Sequence, residues 1–127
     1  MRIALDTNRY VDFCRNDGDV VSLLEHAEAV LLPFVVLAEL RAGFAVGSKG
    51  HENERTLRRF LMMDGISVLL PDDQTTHHYA NVYRQLRRQG TPIPTNDIWI
   101  AALVLQHELA LCARDDHFDH LAQLVRV

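Results

Sequence analysis

The stretch that decides the fold is MRIALDTNRY, at residues 1–10. Its apolar residues Ile3, Ala4 and Leu5 predict a short buried strand, and this strand runs directly into Asp6. Aspartate is among the residues least often found inside a protein. The carboxylate therefore either stabilises the N-terminus of the helix that follows or holds a ligand. The rest of the sequence has to decide between these two roles.

Length and composition predict one small globular unit. The chain has 127 residues, 48% of them hydrophobic, so we expect a single domain over residues 1–127. No apolar run approaches the ~20 residues that cross a bilayer, and only three apolar residues follow Arg2, so neither an anchor nor a signal peptide is predicted. We therefore expect a cytoplasmic protein. Cys14 and Cys112 lie in apolar segments and are expected to be buried free thiols.

Short apolar runs alternate with helical patterns along the chain. Strands are predicted over 2–5, 29–32, 66–70, 110–113 and 124–127. Helices are predicted from residue 7 to near Gly18, over 20–27, 34–45, 52–63, 72–89 and 96–108, with a short one over 116–121. This alternation predicts an α/β fold in which helices cover both faces of a small parallel sheet of four or five strands. Ligands of such sheets bind beyond the carboxyl ends of the strands.

Four acidic side chains fall where such a sheet brings them together. Asp6 follows the first predicted strand and Asp115 the fourth, while Asp97 opens an apolar helix. Each of these three also fits an ordinary helix cap, worth about 0.3–1 kcal/mol. Glu39 is different because it lies in mid-helix among apolar neighbours, where an unpaired charge costs several kcal/mol. Since right-handed crossovers bring strand ends and helices to one edge, we expect all four acids to converge there.

A divalent cation would make such a cluster of negative charges tolerable. Oxygen ligands without His or Cys among them predict Mg²⁺ or Mn²⁺ rather than zinc. The His77-His78 pair and the His117-x-x-His120 pair have no partner ligands at zinc spacing. Mg²⁺ commonly bridges carboxylates to a substrate phosphate, so the predicted chemistry is hydrolysis of a phosphodiester. The sequence contains neither a G-x-S-x-G elbow nor a P-loop.

Four motifs carry a resemblance to a known family: LDTN at 5–8, AELRAG at 38–43, TNDIWIAA at 95–102 and ARDDHF at 113–118. In this order and at this chain length they resemble the PIN-domain ribonucleases, and most closely the VapC-type toxins of toxin–antitoxin pairs. The resemblance implies a PIN-like three-layer α/β/α sandwich and a Mg²⁺-dependent endoribonuclease, with tRNA among the substrates it suggests. It also implies a VapB-type antitoxin that blocks the acidic pocket, and a homodimer.

The resemblance also assigns roles to individual residues. It makes four acids the catalytic residues and metal ligands: Asp6, Glu39, Asp97 and Asp115. Thr7 and Asn8 would orient the turn that carries the first of these. Where the family often has Thr or Ser, this sequence has Ala113, which leaves Asp116 open as an alternative to Asp115 for the fourth acid. The spacing of the motif favours Asp115.

Arginine supplies all but one of the 13 basic residues, and the formal net charge is −4. On the helix predicted over 72–89, Arg84, Arg87 and Arg88 share one face. Such a stripe is either an ordinary solvated face or a surface that contacts RNA phosphates. Arg55, Arg58 and Arg59 repeat the pattern on an earlier helix. A catalytically silent PIN module that only binds RNA or a protein partner remains the alternative function.

Overall fold

The computed structural model describes all 127 residues as alternating strands and helices. The strands are β1 (Arg2–Leu5), β2 (Ala29–Pro33), β3 (Ile66–Leu69), β4 (Ala110–Cys112) and β5 (Val125–Arg126). The α-helices are α1 (Thr7–Cys14), α2 (Gly18–Glu25), α3 (Phe34–Val46), α4 (Gly50–Leu61), α5 (Asp73–Gln89) and α6 (Thr95–Gln106), and a 3₁₀ helix spans Asp116–His120. No helix is both long and apolar enough to cross a membrane.

The five strands form one parallel sheet in the order β3-β2-β1-β4-β5. The central strand is β1, in which Ile3 pairs with Val30 of β2 on one side and with Ala110 of β4 on the other. From β1, the chain adds β2 and then β3 on one side of the central strand. It then crosses to the other side of β1, where β4 and β5 lie. Because such crossovers are right-handed, α1–α4 cover one face and α5–α6 the other. The predicted three-layer α/β/α arrangement with a parallel sheet is confirmed.

Most predicted elements are present with ends shifted by one or two residues. Helix α2 begins at Gly18 because the Asp17 side chain accepts hydrogen bonds from the backbone of Asp19 and Val20. Strand β2 extends through Pro33, which pairs with Leu69 and then leads directly into α3. Proline is tolerated there because it stands at the last position of the strand, where the chain leaves the sheet.

The core lies between the sheet and the helices. Ile3, Ala4 and Leu5 of β1 are completely buried, as expected for a central strand of a parallel sheet covered on both faces. Helix α6 is apolar on nearly all sides, with five consecutive buried residues over 100–104. Such a helix is fixed in place by burial, and it therefore fixes the position of its polar first turn as well.

The two cysteines differ in exposure. Cys112, in β4, is buried and free, as predicted. The prediction of a buried Cys14 was wrong, because this residue is exposed. It is the last residue of α1, whose buried side is formed by Tyr10 packed edge-on against Phe60. The local apolar sequence did not indicate that the helix ends at the surface.

Candidate active site

Asp6 leaves the central strand and begins the first helix. Its backbone N–H continues the ladder by donating to the carbonyl oxygen of Cys112 at 3.1 Å. Its carboxylate Oδ1 accepts a hydrogen bond from the backbone N–H of Thr7 at 2.8 Å, so the side chain caps α1. Only 6% of the residue is exposed, and Oδ2 makes no hydrogen bond. Asp6 is therefore a helix cap whose second carboxylate oxygen makes no hydrogen bond within the chain.

The surroundings of Asp6 are unfavourable to its negative charge. Burial raises the pKa of the carboxyl from 3.8 to about 6, although the hydrogen bond from Thr7 opposes this shift. The charges of Asp97, Glu39 and Asp115 raise the pKa further. These are the three other acids expected from the sequence, and each lies near enough to act on Asp6. The four carboxylates therefore interact electrostatically, whereas the group whose ligand atoms lie within 4.8 Å of one another consists of Asp97, Asp115 and His117, without Asp6 or Glu39.

Asp97 lies in the first turn of α6, which begins after Pro94 without a side-chain cap. Its Oδ2 lies 2.8 Å from Nδ1 of His117. Burial raises the pKa of Asp97, the hydrogen bond from His117 opposes the shift, and the neighbouring Asp115 reinforces it. Asp97 is consequently paired across the site with the 3₁₀ helix that follows β4.

Asp115 caps that 3₁₀ helix. Its Oδ1 accepts a hydrogen bond from the backbone N–H of His117 at 2.9 Å and lies 3.0 Å from Nδ1 of the same residue. Asp116 is exposed, and its side chain makes no hydrogen bond. The charge of Asp115 is among the main influences on the pKa values of Asp6 and Asp97, and Asp115 rather than Asp116 has a ligand atom within 4.8 Å of those of Asp97 and His117. Of the two candidates for the fourth acid, Asp115 is the one that faces the cluster.

Glu39 reaches the cluster from α3. Its Oε1 accepts a hydrogen bond from the Thr7 hydroxyl at 2.7 Å, which is its only hydrogen bond within the chain. Arg41 points elsewhere and pairs with Glu54 at 3.0 Å, as its position two residues along the helix predicts. The Thr7 hydroxyl thus holds the mid-helix carboxylate against α1. The Asn8 side chain is exposed and makes no hydrogen bond.

His117 was not among the site residues expected from the sequence. Its Nδ1 contacts two of the four acids, and these contacts, with the hydrogen bond to Asp97 first among them, raise the pKa of the imidazole. One indication of this role was present in the sequence: His117 lies two residues after Asp115, at the start of a short helix. At this position its imidazole ring folds back over the Asp115 cap. The expectation of a purely carboxylate cluster was wrong in this respect.

The cluster offers a donor set suited to a divalent cation. Ligand atoms of Asp97, Asp115 and His117 all lie within 4.8 Å of one another. Carboxylate oxygens are the ligands preferred by Mg²⁺ and Mn²⁺, and an imidazole nitrogen is compatible with the softer of the two. Burial and, after it, the charges of the other three acids raise the pKa of Asp6, and a bound cation would favour its ionised form. The residues therefore fit such an ion.

The arginines expected to contact RNA lie on α5. Arg84 donates to the side chain of Asn81 at 3.3 Å, whereas Arg87 and Arg88 are exposed and form no ion pair. Arg87 also borders a surface cavity between α5 and α6. On α4, Arg58 is paired with Glu54 at 3.1 Å, so part of that second stripe is an ordinary solvated helix face.

Fold and site together define a small parallel α/β protein with a carboxylate cluster at the carboxyl edge of its sheet. Within this class, the chain belongs to the PIN-domain family, whose pattern it matches over residues 3–124. Among curated proteins it is 34% identical over 114 residues to Ribonuclease VapC1 of Haemophilus influenzae, covering 86% of this chain and 80% of the relative. It is 29% identical to VapC ribonuclease Mb1587 of Mycobacterium bovis, covering 98% and 95%. The resemblance stated from sequence is confirmed.

Solved structures agree with the fold. The VapBC-1 structure from nontypeable Haemophilus influenzae matches with a TM-score of 0.88 at 24% identity, covering 100% of this chain and 97% of the other. FitAcB from Neisseria gonorrhoeae matches with a TM-score of 0.75 at 28% identity, covering 98% and 95%. Both comparisons extend over the whole sheet and all the helices that position the acidic cluster.

Proposed function

We propose that this protein is a Mg²⁺- or Mn²⁺-dependent endoribonuclease that hydrolyses RNA phosphodiester bonds, and that it is the toxin of a VapBC-type toxin–antitoxin pair. The observation that carries the proposal is the convergence of four carboxylates from four separate elements on one sheet edge. Curated relatives named as ribonucleases support the reaction, and similarity to VapBC structures supports the toxin role. The functional unit proposed is one PIN domain over residues 1–127.

Asp6, Asp97 and Asp115 are the proposed metal ligands, with Glu39 completing the acidic set. A divalent ion held there would supply positive charge for a phosphate oxygen and would lower the pKa of a bound water. Glu39 is held through Oε1 by Thr7, so Oε2 is free to orient the attacking water and accept its proton. Asp6 is held through Oδ1 by the Thr7 N–H, so Oδ2 would be available as a metal ligand.

His117 is proposed to orient two of these ligands. In the absence of a metal, its Nδ1 bridges Asp97 and Asp115 and reduces the repulsion between them. A hydrogen-bonding group that orients a metal ligand typically changes metal affinity or activity by about 10- to 100-fold when it is removed. Asn8, with an exposed side chain that touches none of the acids, contributes through the backbone of the α1 turn.

The proposed macromolecular partners are an RNA substrate, a VapB-type antitoxin and a second copy of the chain. VapBC complexes among the structural neighbours support the antitoxin. Arg84, Arg87 and Arg88 are the proposed phosphate contacts on α5. If they bind RNA, the affinity should fall steeply with salt because phosphate contacts release counterions. If the triple variant with Ala at these three positions bound RNA as tightly as the wild type at low salt, the arginines would not be phosphate contacts.

The function is tested by incubating the purified protein with structured RNA and Mg²⁺, and in parallel with EDTA. Cleavage is expected with Mg²⁺, and is expected to be lost with EDTA and in the Asp6→Asn and Asp97→Asn variants. Asp64→Asn is the matched control, because Asp64 is exposed and makes no hydrogen bond. Cleavage that persists in EDTA or in both site variants would contradict the metal-dependent mechanism. A wild-type protein that binds RNA but cuts none would support the silent-module alternative.

A further inference from the structure

A cavity of about 240 Å³ opens on the surface between the end of α5 and the start of α6. Its floor is apolar, and an aromatic ring and a guanidinium stand at its edge. Its lining includes Tyr83, Leu86, Arg87, Pro92, Ile93 and Ile98. The volume is below the range of clefts that hold drug-sized ligands, so the cavity suits a single planar ring system. None of the four acids lines it.

The wall of this cavity is rigid and connected to the acidic cluster. Gly90 takes a left-handed conformation with φ of 70°, which turns the chain out of α5. Gln89 Nε2 then donates to the carbonyl oxygen of His120 at 2.9 Å, fixing the turn against the 3₁₀ helix that carries His117. Ile98 lies in the cavity floor and directly follows Asp97 in the first turn of α6. The cavity therefore shares the first turn of α6 with Asp97 of the candidate site.

Tyr83 ends a series of contacting aromatic rings. Trp99 packs on Tyr79 with centroids 4.3 Å apart, and Tyr79 is stacked on Tyr83 at 6.4 Å with an interplanar angle of 17°. Tyr83 remains 47% exposed at the mouth of the cavity. Its position at the end of this series leaves ring surface for one further planar group. Base stacking on aromatic side chains is the usual way in which proteins bind single-stranded nucleic acid.

The charge at the mouth also fits a nucleotide. Arg87 forms no ion pair with an acid of this chain, so its guanidinium is available to a phosphate. A bound protein segment is a poorer fit than a nucleotide. An apolar side chain that filled the cavity would leave the Arg87 guanidinium without an anionic partner. The pairing of an arginine with a stacking ring is the chemistry of a nucleotide site.

We propose that this cavity is a subsite for one base of single-stranded RNA next to the scissile phosphate, with Tyr83 stacking on the base and Arg87 contacting its phosphate. The inference rests on the proposed function, because it names the part of the substrate that the site selects. A strand whose phosphodiester lies at the acidic cluster would pass over the first turn of α6 and place a neighbouring base in the cavity. The subsite would make cleavage sensitive to the identity of that base.

The test measures binding of a short fluorescein-labelled single-stranded RNA by fluorescence anisotropy in EDTA, where hydrolysis is suppressed. Removing one aromatic stack typically weakens such binding by about 5- to 150-fold, and Tyr83→Ala is expected to fall in that range. Tyr83→Phe keeps the ring and should bind like the wild type. Arg87→Ala should weaken binding more than Arg15→Ala, which removes the same charge at an exposed position outside the cavity.

Three results would overturn the subsite. Tyr83→Ala binding RNA as tightly as the wild type would do so, as would equal losses in Arg87→Ala and Arg15→Ala. A change of oligomeric state in Tyr83→Ala without loss of RNA affinity would instead identify the cavity as a protein contact. Thermal melting of each variant establishes that it is folded, which is expected since Tyr83 is half exposed.

The two proposals fail separately. If the wild type cuts RNA with Mg²⁺ and Asp97→Asn does not, but Tyr83→Ala binds normally, the subsite is wrong and the nuclease assignment stands. If no RNA is cut but Tyr83→Ala loses affinity and Tyr83→Phe keeps it, the subsite stands and the nuclease assignment is wrong. Selectivity is then tested by comparing cleavage rates of RNAs that differ in the base beside the cut. The differences between these rates should be smaller in Tyr83→Ala than in the wild type.

Discussion

Nδ1 of His117 lies 2.8 Å from Oδ2 of Asp97 and 3.0 Å from Oδ1 of Asp115, so one imidazole spans two carboxylates of the acidic cluster. The protonated ring is the only cationic group that the chain places between these two acids. Its contact with Asp97 raises the pKa of His117. In the metal-free protein, the positive charge of the His117 imidazolium therefore offsets the repulsion between the carboxylates of Asp97 and Asp115.

The first prediction concerns the stability contributed by His117. Because its folded pKa is raised above 6.5, the contribution is fully present below that pH and is lost as pH rises through the folded pKa. We expect His117→Ala to lower the melting temperature of the metal-free protein at about pH 6 and to have a smaller effect at about pH 9. His51→Ala, at an exposed position without contacts, is the control. A loss equal at both pH values would show that packing, not charge, is the cause.

The second prediction concerns Asp6, whose pKa is raised from 3.8 to about 6, chiefly by burial. The folded state holds this proton more tightly than the unfolded state, so the contribution of Asp6 to the stability of the metal-free protein should fall as pH rises from about 4 to above 6. A shift of this size corresponds to about 3 kcal/mol. Asp6→Asn keeps an acceptor for the Thr7 N–H and removes the charge.

The measurement is the free energy of unfolding of wild type and Asp6→Asn in EDTA across this pH range. Asp6→Asn should become the more stable protein toward neutral pH, and the difference between the two should grow between about pH 4 and 6. Mg²⁺ should then stabilise the wild type more than the variant, because the ion relieves the same repulsion. Two parallel curves would contradict a perturbed Asp6.

The third prediction concerns the fourth acid. Asp115 faces the cluster and Asp116 does not, although the two are adjacent and chemically identical. Asp115→Asn should therefore lower Mg²⁺-dependent RNA cleavage by at least about tenfold, while Asp116→Asn should leave it near the wild-type rate. Since Asn retains the ability to accept the His117 N–H, the cap of the 3₁₀ helix is preserved. The opposite pattern would move the fourth acid to Asp116.

The fourth prediction concerns Thr7, whose hydroxyl donates to Glu39 Oε1 at 2.7 Å. Thr7→Val keeps the shape of the side chain and the N–H bond to Asp6 but releases the glutamate. We expect a fall of about 10- to 100-fold in kcat/KM or metal affinity, with about 1 kcal/mol of lost stability. Thr7→Ser retains the hydroxyl and should behave almost as the wild type. Equal losses in the Val and Ser variants would point to packing of the methyl group instead.

Features decided by residues close together in the sequence could be predicted, whereas features decided by contacts between distant segments could not. Helix α5 was predicted with its C-terminal glycine because local signals, the acidic start and Gly90, decide its ends. The acids could be grouped because parallel topology alone brings strand ends to one edge. His117 could not be placed, since its role depends on a ring orientation across two elements that are distant in sequence.

The wrong prediction for Cys14 also shows that local sequence does not determine packing. An apolar local pattern predicted its burial, yet exposure is decided by where α1 ends relative to the helices packed beside it. The cavity beside Tyr83 was likewise absent from the sequence pattern, because it forms where the C-terminus of α5, a proline-containing turn and the first turn of α6 meet. Local periodicity identifies elements, whereas cavities and bridging side chains depend on how the elements pack.

The last prediction tests the turn that forms this cavity. Gly90 has φ of 70°, so an alanine there is strained although no atom obstructs its Cβ, and Gly90→Ala should cost about 1–2 kcal/mol of stability. Gly43, inside α3, also has open space for a Cβ but lies in ordinary helical backbone. Gly43→Ala should therefore stabilise the protein by about 0.5–1 kcal/mol. Urea unfolding of the two variants measures both effects. If Gly90→Ala matched Gly43→Ala, the left-handed turn would not be required, and the cavity wall that it positions would have to be formed in another way.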